Sequence, residues 1–131
     1  MNNKIKIPVI ILSVLFIAGC AKDSTLIVKL KDEVVTKTVY FNKDLVPLFT
    51  ANCAVSGCHN AGGKAPDLTA AKAYTSLMNG KYIDTSVPEN SKLYKFLTGA
   101  LSPAMPMGKP TNPGGLNALT LAWIKQGAKK N

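Results

Sequence analysis

The stretch "NCAVSGCHN", Asn52–Asn60, carries two of the three cysteines and the single histidine of a 131-residue chain. Cys53 and Cys58 are separated by Ala54-Val55-Ser56-Gly57, and His59 follows the second cysteine directly. Two thiols and an imidazole this close together imply chemistry at one point. What they do depends on the redox compartment and on the role of the third cysteine.

The N-terminus addresses both questions. Lys4 and Lys6 form a positive n-region, and "IPVIILSVLFI" (Ile7–Ile17) is an apolar run ending in Ala18-Gly19 before Cys20. A membrane-spanning helix needs roughly 20 apolar residues, so the run has the length of a signal peptide. "IAGC" resembles the lipobox of bacterial lipoproteins, which implies cleavage before Cys20 and a diacylglycerol on its sulfur. Residues 1–19 are then a lipoprotein signal peptide. With Cys20 committed to lipid, Cys53 and Cys58 are an even pair outside the cytoplasm, where idle thiols do not persist.

Three arrangements suit that pair and its histidine. The thiols can close a local disulfide, leaving His59 on the surface. The three groups can hold zinc, but a tetrahedral site needs a fourth ligand and the chain has no other His or Cys beyond Cys20. Or the thiols can add to the two vinyl groups of a porphyrin, placing His59 under the iron. The usual signature for that is C-x2-C-H; the C-x4-C-H here needs a bulged loop, for which Ser56-Gly57 supplies the flexibility.

The rest of the mature chain is read in two parts. Residues 20–39 form a lipidated tether with a short extended or β segment, since "TLIVKLKDEVVTKTVYF" (Thr25–Phe41) alternates apolar and polar residues about a turn at Asp32-Glu33. Residues 40–131 form one mainly α domain of about four short helices. The first is capped by Asn42 and runs into Cys53; the second spans Thr69–Met78 and stops at Asn79-Gly80. A third opens with Pro88, places Leu93, Phe96 and Leu97 on one face and stops at Gly99. The last, capped by Asn117, runs to Gly127 with Leu116, Leu119, Trp123 and Ile124 at helical spacing. The loop Ser102–Gly115 has four prolines and little to hold it unless something binds there. A core of this size supplies only a few kcal/mol, so a covalent link or cofactor is expected to complete the fold.

"FNKDLVPLFTANCAVSGCHN", "PDLTAAKAYTSLM", "VPENSKLYKFLTG", "AMPMG" and "LAWIKQGA" together resemble the small mono-haem c-type cytochrome domains of bacterial lipoproteins and planctomycete-type cytochrome modules. The resemblance covers about Tyr40 to Ala128. It implies a small cytochrome c-like fold around one covalent haem c, with thioethers at Cys53 and Cys58. His59 is then the proximal iron ligand, and a Met-Pro in the late loop gives the distal one. That position is Met105, although "MPMG" departs from the more frequent Met-Pro-Pro and makes Met107 the second candidate. Met78 sits at core spacing in a helix and reads as packing.

The implied function is single-electron transfer, not enzymatic turnover, because both axial positions are taken and no second His is present for a peroxidase-like site. The rival reading is a haem-free lipoprotein for binding or assembly, with a Cys53–Cys58 disulfide. Sixteen lysines, no arginine and seven acids give a net charge of +9, or +7 once Lys4 and Lys6 are lost. Without Arg there is no bidentate phosphate reader, which argues against nucleic acid. The charge suits acidic redox partners, with Lys64 and Lys109 on the flanking loops as steering groups, or an anionic membrane surface. The expected location is the periplasmic face of a membrane through the lipid anchor. The outer membrane is favoured because no Asp directly follows Cys20, where Ala21 stands.

Overall fold

Four helices carry the domain: α1 (Val46–Asn52), α2 (Ala73–Asn79), α3 (Lys92–Thr98) and α4 (Leu116–Lys125). This is a computed structural model, and it describes residues 34–131. The expected signal peptide, Cys20 and the proposed turn at Asp32-Glu33 lie outside the described residues. Among the described residues there is no strand, so the mainly α class holds.

A π-helical turn, Phe41–Leu45, leads directly into α1. Asn42 lies inside that turn and does not cap it. The start is instead held by Asp44, whose Oδ2 accepts the Tyr40 N–H at 2.8 Å. Phe41, Leu45 and Phe49 recur at helical spacing and are all buried. They meet α4, whose Leu116, Trp123 and Ile124 are buried on the expected face. The Phe41 and Trp123 rings are 4.9 Å apart, and Tyr74 from α2 packs edge-on to Phe41 at 5.4 Å. Each such side chain contributes roughly 1.5–3 kcal/mol on burial, so this cluster is the main packing term.

The chain before α1 is pinned to the chain after α4. Val39 N–H donates to Gln126 Oε1 at 2.9 Å, and Gln126 Nε2 donates to the Lys37 carbonyl at 3.0 Å. Phe41 N–H donates to Asn131 Oδ1 and Asn42 N–H to the Asn131 carbonyl, each at 2.8 Å. With side chains as partners, the backbone of residues 34–40 needs no second strand. Val39 is fully buried and Val35 packs partly buried against the core, so packing reaches into the stretch assigned to the tether.

The remaining ends differ in detail from expectation. Residues 69–72 are turns, and α2 starts only at Ala73. A short 3₁₀ turn, Pro88–Asn90, is separated from α3 by Ser91, whose buried Oγ bonds both the amide and the carbonyl of Asp84. Gly99 closes α3 at φ 78°, the left-handed conformation expected of a stop glycine. Gly115 occupies the N-cap position of α4, and Asn112 Oδ1 accepts the first-turn Asn117 N–H at 2.7 Å; Asn117 itself reaches across to the Leu97 carbonyl.

Candidate functional site

The site begins where α1 ends. Cys53 follows the last helical residue, with its N–H on the Phe49 carbonyl at 2.8 Å, and its side chain is buried. The chain then loops out and back, so that His59 N–H donates to the Cys53 carbonyl at 3.0 Å. Gly57 makes the return possible at φ 79°, a conformation that costs any residue with a Cβ about 1–2 kcal/mol. Cys58 is exposed, and both thiols are free. Burial pushes the Cys53 thiol up to about 11, although the nearby Lys109 ammonium pulls in the other direction. It is therefore a neutral thiol held against apolar surface.

His59 is oriented by two main-chain carbonyls. Its Nδ1 lies 3.1 Å from the Lys64 carbonyl and 3.1 Å from the Pro66 carbonyl. Carbonyls only accept, so Nδ1 carries the proton and Nε2 is left with its lone pair. The loop that supplies those carbonyls is tied to the cysteines, since Lys64 N–H donates to the Cys58 carbonyl at 2.8 Å and Leu68 N–H to the His59 carbonyl at 2.8 Å. This orienting loop was not foreseen from sequence. The only signal for it was the Gly/Pro content of "GGKAPD".

Opposite stands the long loop after α3. Met105 N–H donates to the Phe96 carbonyl at 2.9 Å, which fixes this residue to the end of α3. Met105 is half-buried against the core, whereas Met107 is 63% exposed. Farther on, Lys109 Nζ donates to the Ala51 carbonyl in the last turn of α1 at 3.1 Å.

These residues line one cavity of ≈ 330 Å³. Cys53, Cys58, His59, Met105 and Met107 all reach it; Phe49, Leu68, Leu93, Phe96 and Leu97 give it apolar walls, and Tyr82 closes one side. Its volume lies in the range of about 300–1,000 Å³ usual for small-molecule and cofactor sites. Among the described residues Lys64 and Lys109 line it and no carboxylate does. Among the described residues no three His, Cys, Asp or Glu side chains form a metal site by themselves.

The donor set and walls fit a haem: two unspent thiols, an imidazole with a bare Nε2, a thioether and an apolar enclosure. Cys53, Cys58 and His59 line this cavity together with Met105. Cys20 lies outside the described residues. Compared with known proteins, the chain matches no family model, no curated protein and no solved structure.

Proposed function

We propose that the protein is a lipid-anchored mono-haem c-type cytochrome that carries single electrons outside the cytoplasm. The observation that supports this best is the convergence of two free thiols, the bare Nε2 of His59 and the Met105 thioether on one apolar cavity. Bound there through Cys53 and Cys58, haem c would supply a one-electron Fe(III)/Fe(II) couple.

The chain's own residues set the conditions for that couple. His59 presents a nitrogen whose orientation is fixed by the two carbonyls on Nδ1. Met105 is a soft donor, which favours the reduced metal and raises the potential relative to two imidazoles. The apolar walls disfavour the extra positive charge of the oxidised state in the same direction. His59 and Met105 would hold the iron between them and leave no open position for substrate, which would make the role transfer and not turnover. Lys64 and Lys109 flank the cavity and steer acidic redox proteins to it. Anchorage through Cys20 holds the domain at the periplasmic face of a membrane, preferentially the outer one.

The test is expression with a cytochrome c maturation system followed by a spectroelectrochemical titration. A coloured protein that exchanges one electron supports the reading. A colourless protein with a Cys53–Cys58 disulfide returns it to the haem-free binding or assembly module.

A further inference from the structure

The two ends of the first helical segment face different parts of the molecule. The five-residue turn Phe41–Leu45 and the seven residues of α1 form one helical stretch, roughly 18 Å long at about 1.5 Å per residue. At its C-terminal end is Cys53 and the cavity. At its N-terminal end the chain from the tether enters, stitched to the last residues of the domain by the Val39–Gln126, Phe41–Asn131 and Asn42–Asn131 bonds.

That stitching gathers lysines from two distant parts of the sequence. Lys37 and Lys43 lie on the entering segment, Lys129 and Lys130 on the closing one, and all four are exposed. Lys130 Nζ stands 5.8 Å above the Tyr74 ring, which leaves the ammonium at the surface. Among the described residues the acid on this end is Asp44, which is mostly buried, is already bonded to the Tyr40 N–H and is 3.9 Å from Lys37. Glu89 is occupied by Lys125 at 2.7 Å.

We propose that this end is a docking surface for a bilayer of anionic phospholipid, and that it turns the cavity away from the membrane. The proposal rests on the lipid-anchor part of the proposed function and is independent of the haem. Thirteen residues, 21–33, separate Cys20 from the described domain, which continues from them at this end. The end that the anchor delivers to the membrane is therefore the end that carries the four lysines. Lysines close to a negatively charged surface are attracted within a Debye length of about 10 Å, and several side by side act together. The consequence for the cavity is orientation: Lys64 and Lys109 would face solution and the redox partners, not the lipid.

Lysine acylation on the mature protein bound to vesicles tests this. Phosphatidylcholine vesicles are compared with phosphatidylcholine–phosphatidylglycerol vesicles, and each lysine is read by peptide mass spectrometry. Modification of Lys37, Lys43, Lys129 and Lys130 is expected to slow about fivefold on the anionic vesicles and to recover in high salt, with Lys64 and Lys109 unchanged. Lys43→Gln together with Lys129→Gln and Lys130→Gln should abolish the protection of Lys37. Equal rates on both vesicles, or slowing at Lys64 and Lys109, overturns the proposal. So does protection by soluble polyglutamate without protection by vesicles, which would reassign the surface to an acidic protein. The anchor is read separately, from intact mass and from sedimentation with neutral vesicles. If it is missing, the unlipidated chain must still show the four-lysine footprint on anionic vesicles, or the proposal fails.

Discussion

His59 Nδ1 and the Pro66 carbonyl lie 3.1 Å apart, and the Lys64 carbonyl approaches the same nitrogen at the same distance. A ring held by two acceptors on one nitrogen has a fixed tautomer and a fixed plane before anything binds to the other nitrogen. The loop from Cys58 to Leu68 therefore acts as a bracket for one lone pair.

Gly63 is the weak point of that bracket. A Cβ there would collide with the Cys58 carbonyl oxygen and with Asn60 Oδ1, both belonging to the turn that sets His59. Gly63→Ala is predicted to cost about 2 kcal/mol or more, since backbone must shift and not a flexible side chain. Gly57→Ala meets no atom within 4 Å and suffers only its left-handed φ, about 1 kcal/mol. Guanidinium denaturation of the two variants should rank them in that order, and only Gly63→Ala should alter the haem spectrum.

Met105 and Met107 separate cleanly. Met105→Ala should abolish the weak far-red sulfur-to-iron absorption of the oxidised protein, admit carbon monoxide to the reduced one and lower the potential by on the order of 0.1 V. Met107→Ala, at a side chain 63% exposed, should leave all three nearly unchanged. The reverse pattern moves the ligand two residues along the loop. Absence of both effects reopens the peroxidase alternative.

The thiols make a pH prediction for the haem-free chain. Cys53 is pushed up to about 11 from 9.0, first by burial. The folded chain thus holds this proton more tightly than the unfolded chain. The resulting stabilisation is complete below pH 9.0 and is lost as pH rises through about 11. The denaturation midpoint should fall over that window, and Cys53→Ala should remove the part of the fall that belongs to the thiol. At pH 8, iodoacetamide should modify the exposed Cys58 well before Cys53.

What could be read from the sequence was local. Helix α4 announced its buried face through Leu116, Trp123 and Ile124, and Gly80 and Gly99 marked the stops of α2 and α3. Cys53, Cys58 and His59 are close in the chain, so their meeting needed no tertiary knowledge. What escaped was carried by partners far away in sequence. Lys37, Val39 and Phe41 fall in the stretch expected to be extended, and Gln126 and Asn131 supply their hydrogen bonds across nearly 90 residues. Asn117 lies inside α4, whose N-cap position is Gly115, and its N–H is accepted by Asn112 Oδ1 across the Gly114-Gly115 turn. Met105 lies 46 positions beyond His59, and only the family resemblance indicated that the two share a cavity.

The most direct measurement is the mass and absorbance of one tryptic fragment. Cleavage after Lys43 and Lys64 releases Asp44–Lys64, which contains Cys53, Cys58 and His59 and no other cysteine. From protein matured with the cytochrome c machinery, that fragment should carry one haem on two thioethers and keep its colour under denaturing conditions. The same fragment recovered without haem, with a Cys53–Cys58 disulfide or two free thiols, would contradict the account.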